Sequence, residues 1–385
     1  MSAETAPQTI KEFTARVRQW YRDDYRGFRT FFDAAIENVK PIPEDTDRDI
    51  RYDWRNKSID DLCSFFDEWY AWLPEMPTGL DYIRKFGWLY YQNEYGRAFV
   101  TKGAGYEMTK HFVAIRGEYF DSPESAALIH AWVEDLGGIH KVSQQYIIPE
   151  PTNPAGHYGF NNFNQFFSRK IKPDARAIAS PEDDSVVVAP ADCMIYTVEN
   201  LTQDTKFLVK TSYLNVRELL NDSQYMRYFD GGTAVFCILK PHSYHHYHAP
   251  VSGKVVEAKE DVSGEYFGVA FERFRRGYLV IKTERYGHVG VVPVGLTTIA
   301  SVVFRDKFKH VTDTQPIAIA KGEAIGYFQY GGSLNILLFE AGRFPSLNLL
   351  QGQQIGFLLN PDEGVGKLRQ SKSNDFLHRV SFRSE

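Results

Sequence analysis

The chain has 385 residues, 43% apolar and 24% charged, which provides for one large core or two smaller ones. A formal net charge of −5 argues against nucleic acid as the main partner. Cys63, Cys193 and Cys237 are too scattered for a disulfide framework or a paired-cysteine metal site, and this favours a reducing, cytoplasmic setting. The opening MSAETAPQTIKEF lacks a basic segment followed by an apolar one, and no run of 18 apolar residues exists. Neither a signal peptide nor a membrane span is therefore expected. Residues 8–40 read as one long helix, with Ile10, Phe13, Val17, Trp20 and Tyr21 recurring at threes and fours. Its acidic and basic residues nearly balance, so it is no polybasic lipid anchor, although a membrane-surface or partner helix stays open. A charged connection over 41–57 leads to Ser58, which with Asp61 makes a capping box for a helix through Trp72. Helical patterns follow at 80–98, at 105–117 and from Ser122-Pro123 to a stop at Gly137-Gly138.

The Pro/Gly/Asn-rich stretch 149–157 marks a domain boundary. Beyond residue 180 the pattern changes to short runs rich in branched residues: VVVAP, MIYTV, KFLVK, AVFCILK, KVVEA, YLVIK, HVGVVPVG and TIASVVF. A short helix is expected at 213–221. The expected fold is α+β, a mainly helical part over 1–150 followed by an antiparallel sandwich- or barrel-like β domain over 158–360 and a polar tail over 361–385.

Two stretches in the second half are candidates for chemistry. Gly331-Gly332-Ser333 separates the apolar runs IGYF and LNILLF; it is a hairpin or bulge closed by glycines, or a serine placed to attack the carbonyl before it. The cluster Tyr244-His245-His246-Tyr247-His248 lies between Pro241 and Pro250. Its HxxH spacing could serve zinc, but no further ligands with familiar spacing accompany it, so acid–base work is the preferred reading. There is no dinucleotide fingerprint, phosphate-binding loop or GxSxG element, so no nucleotide and no metal are expected.

Four segments, taken in order, resemble the phosphatidylserine decarboxylase family. FNQFFSRKIKPDARAI (163–178) is similar to its FFxRxxKPxARPI stretch, and VVAPADCMI (187–195) to SPADGxI. LKPHSYHHYHAPVSGKV (239–255) is similar to LxPxDYHRxHxPVxGxV, and GYFQYGGSLNILLFE (326–340) to GxFxxGGST and its following strand. The departures are Leu334 for the usual Thr, Cys193 for Gly, and EYFGVAF (265–271) where FSVNP is usual. The resemblance implies a self-processing enzyme. Ser333 attacks the carbonyl of Gly332 with His248 as base and Asp192 holding the base, and the chain is cut between Gly332 and Ser333. Residue 333 becomes a pyruvoyl group, the two fragments stay associated, and a substrate amine condenses with the new ketone before CO2 leaves. His245 is implied as the acid that returns a proton to the α-carbon, with Tyr266 and Phe267 as candidate substrate residues. The implied reaction is phosphatidylserine to phosphatidylethanolamine, at a peripheral membrane surface, and a homodimer is left open. Two alternatives stand beside it: a soluble decarboxylase of a free aromatic amino acid such as tryptophan, and a non-enzymatic β-domain binding protein.

Overall fold

The computed structural model describes residues 6–44, 46, 48–72, 81–149, 157–201, 207–209, 212–262, 276–295, 302–331 and 333–344. Gly332, Tyr266, Phe267, most of the expected 149–157 boundary and the tail over 361–385 lie outside the described residues.

The first part is helical: α1 (Ile10–Arg22), α2 (Phe28–Glu37), α3 (Ile59–Ala71), α4 (Asp81–Gly87), α5 (Glu94–Thr101), α6 (Gly103–Asp121), α7 (Ile129–Asp135) and α8 (Ile139–Gln145). The single helix expected over 8–40 is two. Asp24, Arg26 and Gly27 all take positive φ, and this breaks the α1–α2 ladder where the apolar periodicity gives no sign of it. Gly27, at φ 77°, carries the turn most easily. The 80–98 pattern likewise divides into α4 and α5. The capping box at Ser58 and Asp61 forms in both directions, and Gly137 and Gly138 close α7 by donating to Glu134 and Val133 carbonyls. Phe13, Phe65, Phe66, Trp69 and Phe112 pack ring on ring in the centre of this part.

A ninth helix, α9 (Phe163–Phe167), is capped by Asn162 and buries Phe163, Phe166 and Phe167 in that same helical core. After it the chain turns to β structure. The strands are β1 (Met194–Asn200), β2 (Phe207–Val209), β3 (Ser212–Leu214), β4 (Thr233–Leu239), β5 (His246–His248), β6 (Gly253–Lys259), β7 (Tyr278–Lys282), β8 (His288–Val294), β9 (Val302–Phe304), β10 (Ile317–Ile319), β11 (Ala324–Phe328) and β12 (Ser333–Phe339), with α10 (Val216–Leu219) after β3. Val186–Ala189, expected as part of a strand, instead runs beside the 248–250 segment, where Val188 N–H donates to Pro250 O and His248 N–H to Pro190 O.

Seven strands form one sheet in the order β1-β4-β12-β8-β7-β6-β10, and β5-β11-β9 form a second; every pairing is antiparallel. Side chains alternate across a strand, so β12 sends Leu334, Ile336 and Leu338 to one core and Leu337 and Phe339 to the other. The second core is shared with Tyr247, Phe304 and Phe328 of the small sheet. The result is an α+β molecule in which β12, opening at Ser333, is held on both edges by β4 and β8.

Candidate active site

Three layers meet at Ser333. The loop before β12 is anchored by Tyr330, whose ring is buried against Phe120, Phe163 and Phe167 of the helical core. The Tyr330 N–H donates to Asn164 Oδ1 at 3.1 Å, and Asn164 Nδ2 donates in turn to Asp121. Gly331 follows at φ 151°, a backbone conformation that residues with a Cβ rarely adopt. Ser333 then starts β12 opposite Leu239 and is itself buried.

His245 Nδ1 lies 3.2 Å from Ser333 Oγ. The other ring nitrogen, Nε2, is 3.0 Å from the Pro241 carbonyl, which can only accept, so Nε2 carries the hydrogen. In the neutral ring Nδ1 is therefore the acceptor, turned toward the serine hydroxyl. Phe167 covers the imidazole face at 3.8 Å. Burial pushes the His245 pKa down to about 3, and the nearby charge of Arg169 adds to that. Arg169 is buried over Tyr146 and donates to the His242 carbonyl, which pins the turn ahead of the histidines.

His248 stands apart from Ser333. Its Nδ1–H donates to Gly322 O at 2.8 Å, and its Nε2 accepts from the Tyr244 hydroxyl at 3.0 Å. Gly322 is fixed by its neighbour Lys321, whose buried ammonium donates to the carbonyls of Ser180, Asp183 and Val186. Burial lowers the His248 pKa and the charge of Arg305 adds to that, while the bond to Gly322 and the charge of Asp192 work the other way. Asp192 is paired with Arg176 through two bonds, at 2.9 and 2.7 Å, and Arg176 also holds Gln145. Asp192 thus acts on His248 through its charge, not through a bond. His246 points elsewhere, donating from Nε2 to Ser168 O and stacking on Tyr244.

Of the expected site residues, the structure brings Ser333 and His245 into contact, places His248 and Asp192 in the adjoining layer, and gives the latter two other partners. Sequence reasoning did not single out Arg176 or Phe167, and it named Tyr244 with the histidine cluster without giving it a role. All three lie inside the motif stretches, but nothing in a motif states which side chain bonds to which. Among the described residues no group of three or more metal-ligating side chains gathers, and no helix is long and apolar enough to cross a membrane.

The sequence profile of the phosphatidylserine decarboxylase family matches residues 163–357. A phosphatidylserine decarboxylase proenzyme of Fusobacterium nucleatum is 32% identical over 237 residues, covering 59% of this chain and 72% of the relative. One from Clostridium perfringens is 27% identical over 305 residues, covering 76% of this chain and 95% of the relative. Phosphatidylserine decarboxylase proenzyme 2 of Oryza sativa subsp. japonica is 29% identical over 261 residues, 65% of this chain but 39% of the longer plant protein. The matched span runs from α9 through the histidine cluster to β12 and takes in every side chain placed around Ser333 except those lent by the helical part; the chain belongs to the phosphatidylserine decarboxylase family.

Proposed function

We propose that this chain is a proenzyme that cuts itself between Gly332 and Ser333, turns residue 333 into a pyruvoyl group and decarboxylates phosphatidylserine to phosphatidylethanolamine. The observation that carries the reading is the buried Ser333 hydroxyl at the mouth of β12, 3.2 Å from an imidazole acceptor and directly after the Gly331-Gly332 step. The names of the relatives support the lipid substrate. They do not favour a free aromatic amino acid or a binding protein without chemistry.

The residues present suit such a group. In the first step the Ser333 oxygen bonds to the Gly332 carbonyl carbon and the Gly332–Ser333 C–N bond breaks. A histidine relays the hydroxyl proton to the departing amine. Loss of the α-proton then breaks the Cβ–O bond and releases the upstream chain as a carboxylate, and water displaces ammonia to leave a ketone at residue 333. That ketone supplies an electrophile for a primary amine and a sink for the electrons left by CO2. His245 is already in place beside residue 333 to hand a proton to the substrate carbon. His248, with the charge of Asp192 favouring its protonated form, is the base this reading assigns to the cut. A second reading gives the cut to His245 as well, because among the described histidines that ring is the one in contact with the hydroxyl.

The fragments stay together in this proposal because β12 begins at the cut and is laddered to β4 on one side and β8 on the other. A lipid substrate also calls for contact with a membrane surface, and a homodimer is compatible with it. Intact mass is the direct test. Scaling the 44.2 kDa chain by length gives pieces of about 38 and about 6 kDa, with Ser333→Ala remaining whole and inactive toward phosphatidylserine vesicles. A wild-type chain that stays whole, or a whole Ser333→Ala chain that releases CO2, refutes the proposal.

A further inference from the structure

The polar side chain nearest to Ser333 along its own strand has no use in anything above. Asn335 is two residues on in β12, so its side chain shares the face of the Ser333 hydroxyl. It is fully buried, and neither its amide nitrogen nor its amide oxygen has a hydrogen-bond partner among the described residues. The sheet explains why. Its cross-strand neighbours are Cys237 in β4 and Pro293 in β8, one a weak hydrogen-bonding group and the other none. An apolar residue would be more stable here, in a face otherwise filled by Leu337, Phe339, Val235 and Leu239. A buried amide with both ends unmet, one side-chain step from the reacting residue, has the character of a group that waits for a ligand.

Resting on the decarboxylase reading, we propose that Asn335 binds the α-carboxylate of the substrate, with Nδ2 donating. Two considerations select that group. Residues i and i+2 of a strand are about 6.6 Å apart, a reach that suits a carboxylate one carbon from an amine held at residue 333, whereas the lipid phosphate is several bonds farther away. A neutral donor also orients a carboxylate without stabilising its charge as a lysine or arginine would, and extra ground-state stabilisation would oppose the loss of CO2.

The test compares wild type, Asn335→Leu and Asn335→Asp after each has cut itself. Short-chain phosphatidylserine and phosphatidylethanolamine are offered with cyanoborohydride, and lipid captured on the small fragment is read by mass. Only phosphatidylserine carries the carboxylate. Asn335→Leu should raise Tm by about 2–4 °C, because it removes an unpaired buried amide. It should also raise the half-saturating concentration for phosphatidylserine about 10- to 100-fold and leave that for phosphatidylethanolamine unchanged. Asn335→Asp, equal in size, turns the donor into an acceptor and should lose phosphatidylserine capture at least as far. A purely structural Asn335 would move Tm and leave the ratio between the two lipids alone. Equal loss on both lipids, no loss on phosphatidylserine, or failure of both variants to fold and cut overturns the proposal. A wild-type chain that captures neither lipid overturns the decarboxylase reading along with it.

Discussion

Replacing His245 and His248 one at a time separates contact from proton affinity. His245 touches Ser333 Oγ, but burial pushes its pKa from 6.5 down to about 3. At 1.36 kcal/mol per unit, protonating it in the uncut chain costs roughly 5 kcal/mol more than protonating a solvated histidine. That is a heavy penalty for a base. His248 is also lowered, by burial and by the charge of Arg305, but its bond to Gly322 and the charge of Asp192 oppose the shift. His245→Ala should therefore still cut, within about tenfold of wild type, whereas His248→Ala should slow cutting by about 10²–10⁴-fold. After the cut the substrate's carboxylate arrives beside His245 and offsets part of the cost of protonating it. Turnover per cut chain should then fall about 100-fold in His245→Ala. The assay is a time course of cutting by intact mass, followed by CO2 release normalised to the cut fraction. An uncut His245→Ala beside a normally cut His248→Ala would refute the reasoning and make the touching ring the base.

Tyr244→Phe removes the hydroxyl that occupies His248 Nε2, so it should cut at least as fast as wild type on a gel; slower cutting would mean that the phenol carries the proton. His242, His245 and His246 are held neutral by burial, at about 4, 3 and 4. Their folded values lie below the unfolded 6.5, so stability is complete above that pH and is lost as pH falls toward the folded values. One unit below, at pH 5.5, the loss should be about 4 kcal/mol for the three together, measured by urea unfolding at pH 7.5 and 5.5; equal stability at the two would contradict it. Tyr330→Ala empties an aromatic pocket in the helical core and should cost about 3–5 kcal/mol. It should also slow cutting; a Tyr330→Ala chain that is stable and cuts normally would show that the anchor is idle.

Much of the fold could be read from the chain because its strands are locally unambiguous. AVFCILK, YLVIK and HVGVVPVG are branched runs bounded by turn residues, and each is a strand. The α1–α2 break escaped because periodicity reports which face is apolar and not whether the ladder between turns is continuous. VVVAP escaped for a different reason: it is strand-like in composition, but beside the 248–250 segment it makes isolated backbone bonds, Val188 to Pro250 and His248 to Pro190, and not a continuous ladder. At the site, the motifs singled out Ser333, His245, His248 and Asp192 but not their bonds. Asp192 bonds to Arg176, 16 residues upstream, and His248 to Tyr244, four residues upstream. Those choices depend on how two loops lie across β5, which residue type and spacing do not encode. Asn335 looks from sequence like any polar residue in a strand, and only its sheet neighbours show that it has no partner among the described residues.

The helical part has a reason to be there beyond its own core. Tyr330, three residues before Ser333, belongs to the helical core, whereas Ser333 belongs to the sheet. The two sides of the proposed cut are thus held by different layers, and α9 ties them, with Asn164 on the Tyr330 backbone and Phe167 on the His245 ring. Before a cut this arrangement fixes Gly331 on one side and Ser333 on the other, with an imidazole at the Ser333 hydroxyl, as attack on a neighbouring carbonyl requires. After a cut neither new end is free to follow the other. Residues up to Gly331 stay tethered through Tyr330, and residue 333 stays in its ladders between β4 and β8 beside His245. The β part alone would supply the serine and the histidines but would leave the upstream side of the proposed cut without its anchor.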